Sequence, residues 1–338
     1  MKPFIRRIAL YFLVLLIMAG GMIATLLKVY PEIFLSSRVE YVMWNKQLHR
    51  IQNTKNKEHL NAVIGDSRAM AAINPVNLGP NYINFSLGGT SFYEGYITLR
   101  TLLKTNKIDT LILCYAPVHF EKNGGNLLKR TMVFQHSEFN DILELHALEK
   151  KFQSSIETDL AGDNSTWTTI DRLLHFYHEP FTFRSTMIGQ YKTNWTAPAI
   201  ESQVIKELNN NRGQVFYGRS ISMHGVAEEA REQSFDPNMV ILEYFQKIAL
   251  LVQKHGIVCY FITPPTSKNT YTFAKKQYFT NYISLLQNLQ KKYPFLHIDH
   301  DLTILSQFHF GDASHVNALG QMKFKVEGLR FKVVNPKL

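Results

Sequence analysis

The chain has 338 residues, 45% of them apolar and 19% charged, with a formal net charge of +10 and two cysteines. That length is enough to bury a sizeable core, and two cysteines exclude a disulfide framework. The basic residues are scattered rather than clustered, which argues against nucleic acid and leaves anionic headgroups or an acidic polymer as the partners a basic surface suits.

The first element is a charge-free run, Ile8 to Leu27. As a helix it is about 30 Å long, enough to cross a bilayer. Lys2, Arg6 and Arg7 precede it, which predicts a cytoplasmic N-terminus and an extracytoplasmic remainder. A cleaved signal peptide ending at Ala19-Gly20-Gly21 is the competing reading, but the apolar stretch continues well past those small residues, which favours an uncleaved anchor. Residues 1–30 are thus read as a membrane anchor and 31–60 as a linker. Within the linker Val39–Ile51 has helical character and Gln52–His59 is a polar spacer.

Residues 61–338 read as one domain. Strands are predicted at Asn61–Ile64, Tyr82–Phe85, Thr110–Cys114, Ile257–Ile262 and Phe295–Ile298. Helical spacing lies between them at Tyr93–Leu103 and Tyr278–Lys292, the second with Leu285, Leu286 and Leu289 on one side. A third helix starts at Asp236-Pro237 and carries the stripe Val240, Ile241, Tyr244, Ile248, Leu251 and Val252 before Gly256 ends it. Strands alternating with helices predict an α/β fold, a three-layer α/β/α sandwich with a parallel five-stranded sheet.

The stretch from about 121 to 235 is too long for a crossover and reads as a helical insertion. Its aromatics and histidines (Phe134, His136, Trp167, His175, Phe176, Tyr177, His178, Phe181, Phe183, Tyr191, Trp195) suit either a subdomain with its own small core or a lid that stacks on sugar rings. Tyr217 and Arg219 stay undecided between these readings. His297-Ile298-Asp299-His300 offers metal-ligand types but more simply ends the fifth strand. No CxxC, HExxH or Walker-type loop occurs, so no cofactor or metal is expected.

Two motifs carry chemistry. Ala62-Val63-Ile64-Gly65-Asp66-Ser67-Arg68 is an apolar run ending in Gly-Asp-Ser, which puts a serine at the carboxyl end of a buried strand. Gly311-Asp312-Ala313-Ser314-His315-Val316-Asn317 holds an Asp-x-x-His that can supply a base and the carboxylate that orients it. The plain alternative makes Asp66 and Asp312 helix caps. A third block, Ile83-Asn84-Phe85-Ser86-Leu87-Gly88-Gly89-Thr90-Ser91, lies after the second strand.

Together these blocks resemble the SGNH (GDSL-type) hydrolase and acyltransferase family. Asn84 and Gly89 match its Asn-x-Gly-x-x-Gly element, with Ser86 in place of the first glycine, and His315-x-Asn317-x-x-Gly320 continues the last block. The resemblance implies Ser67 as nucleophile, His315 as base, Asp312 as its orienter, and the amides of Ser67 and Gly89 as oxyanion donors. The family's Gly-x-Asn-Asp block is missing: Val118 falls where its asparagine belongs, so either His119 or Asn123 substitutes or two amides suffice. By the family's strand order Cys114 and Cys259 lie on neighbouring strands, as two buried thiols or as a disulfide.

What the resemblance implies for function is an extracytoplasmic serine esterase or O-acyltransferase, moving acyl groups, acetyl first among them, on an envelope polysaccharide or glycolipid. A single anchor before such a domain is similar to proteins of alginate O-acetylation and teichoic-acid D-alanylation, where a polytopic membrane acyltransferase supplies the acyl group. A plain esterase or deacetylase, and a non-catalytic polymer-binding or assembly subunit, are the alternatives.

Overall fold

The computed structural model describes residues 2–29, 39–121, 131, 134–154, 156, 197–217 and 225–324. Of the residues singled out above, Asn123, Trp167, His175, Phe176, Tyr177, His178, Phe181, Phe183, Tyr191, Trp195 and Arg219 lie outside the described residues.

Helix α1 (Lys2–Val29) contains a stretch, Phe4–Met22, long and apolar enough to cross a membrane, with every side chain exposed. After it come α2 (Val39–Asn53), β1 (Leu60–Gly65), α3 (Ser67–Ala72), β2 (Tyr82–Asn84), α4 (Phe92–Leu103) and β3 (Ile108–Cys114). The inserted region contributes α5 (Phe139–Phe152) and α6 (Ala197–Asn210). The chain then runs through α7 (Met239–His255), β4 (Val258–Ile262), β5 (Thr266–Ser267), α8 (Lys268–Phe273), α9 (Lys276–Lys292), β6 (Leu296–Ile298), β7 (Ile304–Leu305) and α10 (Ala318–Lys323).

Five strands form one parallel sheet in the order β2-β1-β3-β4-β6, and β5 pairs with β7 separately. Parallel strands are buried on both faces, which is why these read as near-continuous apolar runs. Ala62, Ile64, Leu111, Leu113 and Phe261 enter the larger core with Phe92, Ile97 and Leu102 of α4 and Tyr244 and Ile248 of α7. Val63, Ile112 and Ile262 enter a second core with Ala69, Ala71 and Ala72 of α3 and with Phe310 and Val316. Helices therefore flank the sheet. Local signals set their ends: Ser91 and Glu94 form a capping box on α4, Asn238 caps α7, and Gly256 closes it at φ 62°.

The chain leaves β1 for β2 on one side and returns past it to β3 on the other, so the carboxyl end of β1 is a switch point, where open α/β sheets leave a crevice. Gly65 stands there because nothing larger fits: a Cβ would lie 2.0 Å from the Cys114 carbonyl oxygen and 2.5 Å from the Ala69 Cβ.

One open alternative is settled and two expectations need revision. Cys114 and Cys259 are on adjacent strands, yet the register pairs Cys259 with Leu111 and Cys114 with Ile262. The two thiols point to opposite faces of the sheet and are buried and free, so the reading of two buried thiols holds and no disulfide forms. The segment read as a linker is largely part of the domain: Trp44, Leu48 and Ile51 of α2 are buried in the larger core. Beyond α2 the Asn56 amide donates to Thr105 O and the Lys107 amide to Lys57 O, which stitches the polar spacer to the approach of β3. The described part of the insertion also joins the main body, with Ile142, Leu145 and Ile156 in the larger core. Phe134 stacks on Trp44 at 5.1 Å, and His136, whose burial lowers its pKa to about 4, meets the same indole edge-on. These two aromatics are packing groups rather than an exposed platform.

Candidate active site

In the run Ala62 to Ile73 every residue is buried except Ser67. The reason is local. Asp66 caps α3, its Oδ1 accepting from the amides of Arg68 (2.8 Å) and Ala69 (3.0 Å), and this cap starts the helix at Ser67 at the open end of the sheet. Asp66 Oδ2 accepts from the Ala116 amide (3.0 Å) and from His119 Nε2 (2.9 Å), tying the ends of β1 and β3 together. Burial alone would raise the Asp66 pKa. The charge and hydrogen bond of His119, the nearby Arg68 and the Ala116 amide outweigh it and hold the carboxyl at about 2.

Ser67 Oγ lies 2.7 Å from His315 Nε2, and His315 Nδ1 lies 2.7 Å from Asp312 Oδ2. Asp312 Oδ1 also accepts from the amides of Ser314 (2.8 Å) and His315 (2.7 Å). Burial works against the charge on Asp312, but these bonds and the His315 charge bring its pKa to about 2. The loop that carries the histidine is pinned from behind. Asn317 caps α10 and donates to the carbonyls of Phe308 and Phe310, while Gly320 sits where a Cβ would lie 2.2 Å from His309 O. Tyr217 stacks on the His315 ring, centroids 4.4 Å apart and planes 18° off parallel.

The loop after β2 forms the other wall. Asn84 turns inward, donating to the carbonyls of Ala69 and Ile73 and accepting from the Ser86 amide, so it holds the loop to α3 rather than facing the opening. Gly88 is the close neighbour of the serine: a Cβ there would lie 3.8 Å from Ser67 Cβ and 2.8 Å from the Tyr217 hydroxyl. Gly89 has φ 68°, a left-handed conformation that favours glycine. The Trp44 indole donates to Gly88 O at 3.0 Å, and Gln47 Nε2 reaches the carbonyls of Asn84 and Ser86, both at 3.0 Å.

Val118, half-buried in the 3-10 turn Pro117–Phe120, offers no donor. His119, one of the candidate replacements, has its Nε2 engaged with Asp66, and its buried Nδ1 has no partner among the described residues. Behind it, burial raises the Glu121 carboxyl to about 7 although Tyr278 Oη (2.5 Å) and the Asp236 amide (2.9 Å) donate to it. Arg68 follows the serine but points away, its Nη1 2.5 Å from Glu229 Oε1. His297 stacks on Tyr260 of the neighbouring strand, and among the described residues no three His, Cys, Asp or Glu side chains gather as metal ligands.

The three residues of the two motifs thus share one hydrogen-bonded chain, and Gly89 stands in the loop beside it. Trp44, Gln47, Glu121 and the Arg68–Glu229 pair were not singled out in the sequence, where only the half-polar face of Val39–Ile51 hinted at the first two. Chemically, a serine bonded to an imidazole that is itself bonded to a carboxylate can pass its proton to Nε2 while Oγ attacks an electrophilic carbon. Comparison with protein-family models and with curated proteins gives no match for this chain.

Proposed function

We propose that this protein is a serine esterase or O-acyltransferase of the SGNH type, its sheet and flanking helices forming that family's three-layer sandwich. The observation that carries the reading is the Ser67–His315–Asp312 chain of 2.7 Å contacts at the switch point of a parallel sheet. His315 takes the Ser67 proton, Oγ adds to an ester carbonyl, and the imidazolium, steadied by Asp312, returns the proton to the departing alkoxide. The amides of Ser67 and Gly89 receive the oxyanion. The acyl-enzyme then passes its acyl group to water or to a sugar hydroxyl. The flanking charges Lys2, Arg6 and Arg7 favour a cytoplasmic N-terminus with the domain outside. There an envelope polysaccharide or glycolipid is the substrate and a polytopic membrane acyltransferase is a fitting donor.

The test uses the detergent-solubilised full chain, an activated acetyl ester, and oligosaccharides as acceptors, with products followed by mass spectrometry. Acetylated sugar identifies transfer and free acetate identifies hydrolysis. Ser67→Ala is expected to lower turnover by about three orders of magnitude or more. It should melt as the wild type does, because Asp66 and not Ser67 caps α3. A fluorophosphonate that fails to label Ser67, with no product from any ester, would overturn the reading in favour of a binding subunit.

A further inference from the structure

The direction of α2 says which way the site looks. Trp44, near its start, bonds Gly88 beyond the carboxyl end of β2, whereas just past its end Asn56 bonds Thr105 ahead of β3. The helix therefore runs antiparallel to the sheet, and the chain arriving from α1 enters the domain at the carboxyl edge, where Ser67 lies. Between Val29 and Val39 the connection spans at most roughly 35 Å when fully extended. A domain of this length is roughly 50 Å across, so the tether holds the carboxyl edge nearer the bilayer than the opposite edge.

A second observation concerns what that edge exposes. After β4, α8 presents Tyr271 and Phe273, the latter 69% exposed, between the exposed lysines Lys268, Lys275 and Lys276. Beside the Asp312–His315 loop, Phe308 is 49% and Met322 62% exposed, and Lys323 follows. Exposed aromatic and aliphatic side chains interleaved with lysine are the composition of surfaces that rest in the headgroup region of an anionic bilayer.

We infer that the carboxyl edge of the sheet faces the membrane surface, and that the site takes its ester substrate from an amphiphile held in that bilayer rather than from solution. The first half depends on α1 spanning the membrane, and the second half also rests on the esterase reading.

The test reconstitutes the full chain in phosphatidylcholine–phosphatidylglycerol vesicles and labels Phe308→Cys or Val258→Cys with an environment-sensitive dye. Phe308 is at the carboxyl edge and Val258, also exposed, at the amino edge; the native thiols are buried. Lipid with a nitroxide headgroup should quench the label at 308 about twofold or more relative to that at 258, because such quenching acts only over short range from the interface. Equal quenching, or stronger quenching at 258, overturns the orientation, whatever the activity proves to be. For the substrate, the Tyr271→Ser/Phe273→Ser variant, both side chains exposed on α8, is compared with wild type on a soluble short-chain ester and on a vesicle-embedded diacyl ester. Turnover of the soluble ester should stay within about twofold, and that of the embedded one should fall about fivefold or more as interfacial binding is lost. Equal effects on the two esters overturn the substrate half. A wild type that acts on neither ester, with or without an oligosaccharide acceptor, defeats the esterase or acyltransferase reading, and the quenching comparison still decides the orientation.

Discussion

Asp66 accepts four hydrogen bonds with two oxygens, and one of them comes from His119. A residue that served only as an oxyanion donor would lower turnover when truncated and leave stability alone. His119→Ala is expected to lower stability as well as turnover, because it takes a charge-assisted bond from a buried carboxylate, at a cost of about 1–3 kcal/mol. Thermal melts alongside turnover would separate the roles; an unchanged melting temperature would rule out the holding role. Glu121 behaves differently. Its folded pKa of about 7 lies above its ordinary 4.5, so the fold favours the protonated form. That contribution is whole below the ordinary value and disappears as pH rises through about 7. Glu121→Gln, which still accepts from Tyr278 or the Asp236 amide, should flatten the fall in melting temperature between pH 5 and 8 relative to wild type; parallel curves would refute this. Asp66 and Asp312, both held near 2, act in the opposite sense, adding stability above their ordinary 3.8 that is lost as pH falls toward 2.

Among the elements, α2 has the largest unforeseen part. Its Trp44 and Gln47 hold the loop that carries Gly88 and Gly89. Trp44→Phe keeps an aromatic ring against Phe134 but removes the N–H together with the second ring of a buried indole, so a small cavity adds to the lost bond. We expect a stability loss of about 2–3 kcal/mol from the lost bond and the cavity together, with a drop in kcat larger than the change in KM, measured by melts and steady-state kinetics on a soluble ester. A kcat equal to wild type would show that the loop holds its shape without the indole. The strands were legible for a simple reason: those at the centre of the main sheet hold apolar cores, Ala62–Ile64, Leu111–Cys114 and Val258–Ile262, that end at turn residues. β5 and β7 were not, being two residues each, too short to carry any pattern. α7 begins at Met239, just after Asp236-Pro237, with Asn238 as the cap whose side chain accepts from the Val240 amide. The helical character of Val39–Ile51 was legible and the helix runs to Asn53, but the surface it meets was not, since Trp44 and Gly88 are 44 residues apart.

At the scale of the whole molecule the same distinction explains what could be read of the site. Ser67, Asp312 and His315 each lie in a short contiguous motif, so they announce themselves although 248 residues separate the serine from the histidine. Tyr217 against His315, and Arg68 with Glu229, leave no local mark, because only the folded topology brings them together. The domain boundary is a further case. A polar stretch at 52–59 looks like a spacer, yet the buried side chains of α2 precede it. A chain beginning at Val39 should therefore fold as the full domain does. One beginning at Asn61 loses the buried Trp44, Leu48 and Ile51, each contributing about 1.5–3 kcal/mol, against a total stability of only about 5–15 kcal/mol. Size-exclusion profiles and melts of the two chains would check this, and equal stability would mean that α2 is dispensable.

The Trp44 bond to Gly88 has an optical consequence. The chain has three tryptophans, and this one joins its chromophore directly to the loop beside Ser67. With Trp167 and Trp195 replaced by phenylalanine, the remaining indole emission becomes a spectroscopic readout of that loop, since indole fluorescence responds to the state of its N–H partner. Under the proposed acyl-enzyme mechanism, acylation of Ser67 that displaces Gly88 should register as a shift in colour or intensity, in real time and without an added dye; a spectrum unaltered while a fluorophosphonate labels Ser67 would identify the loop as rigid.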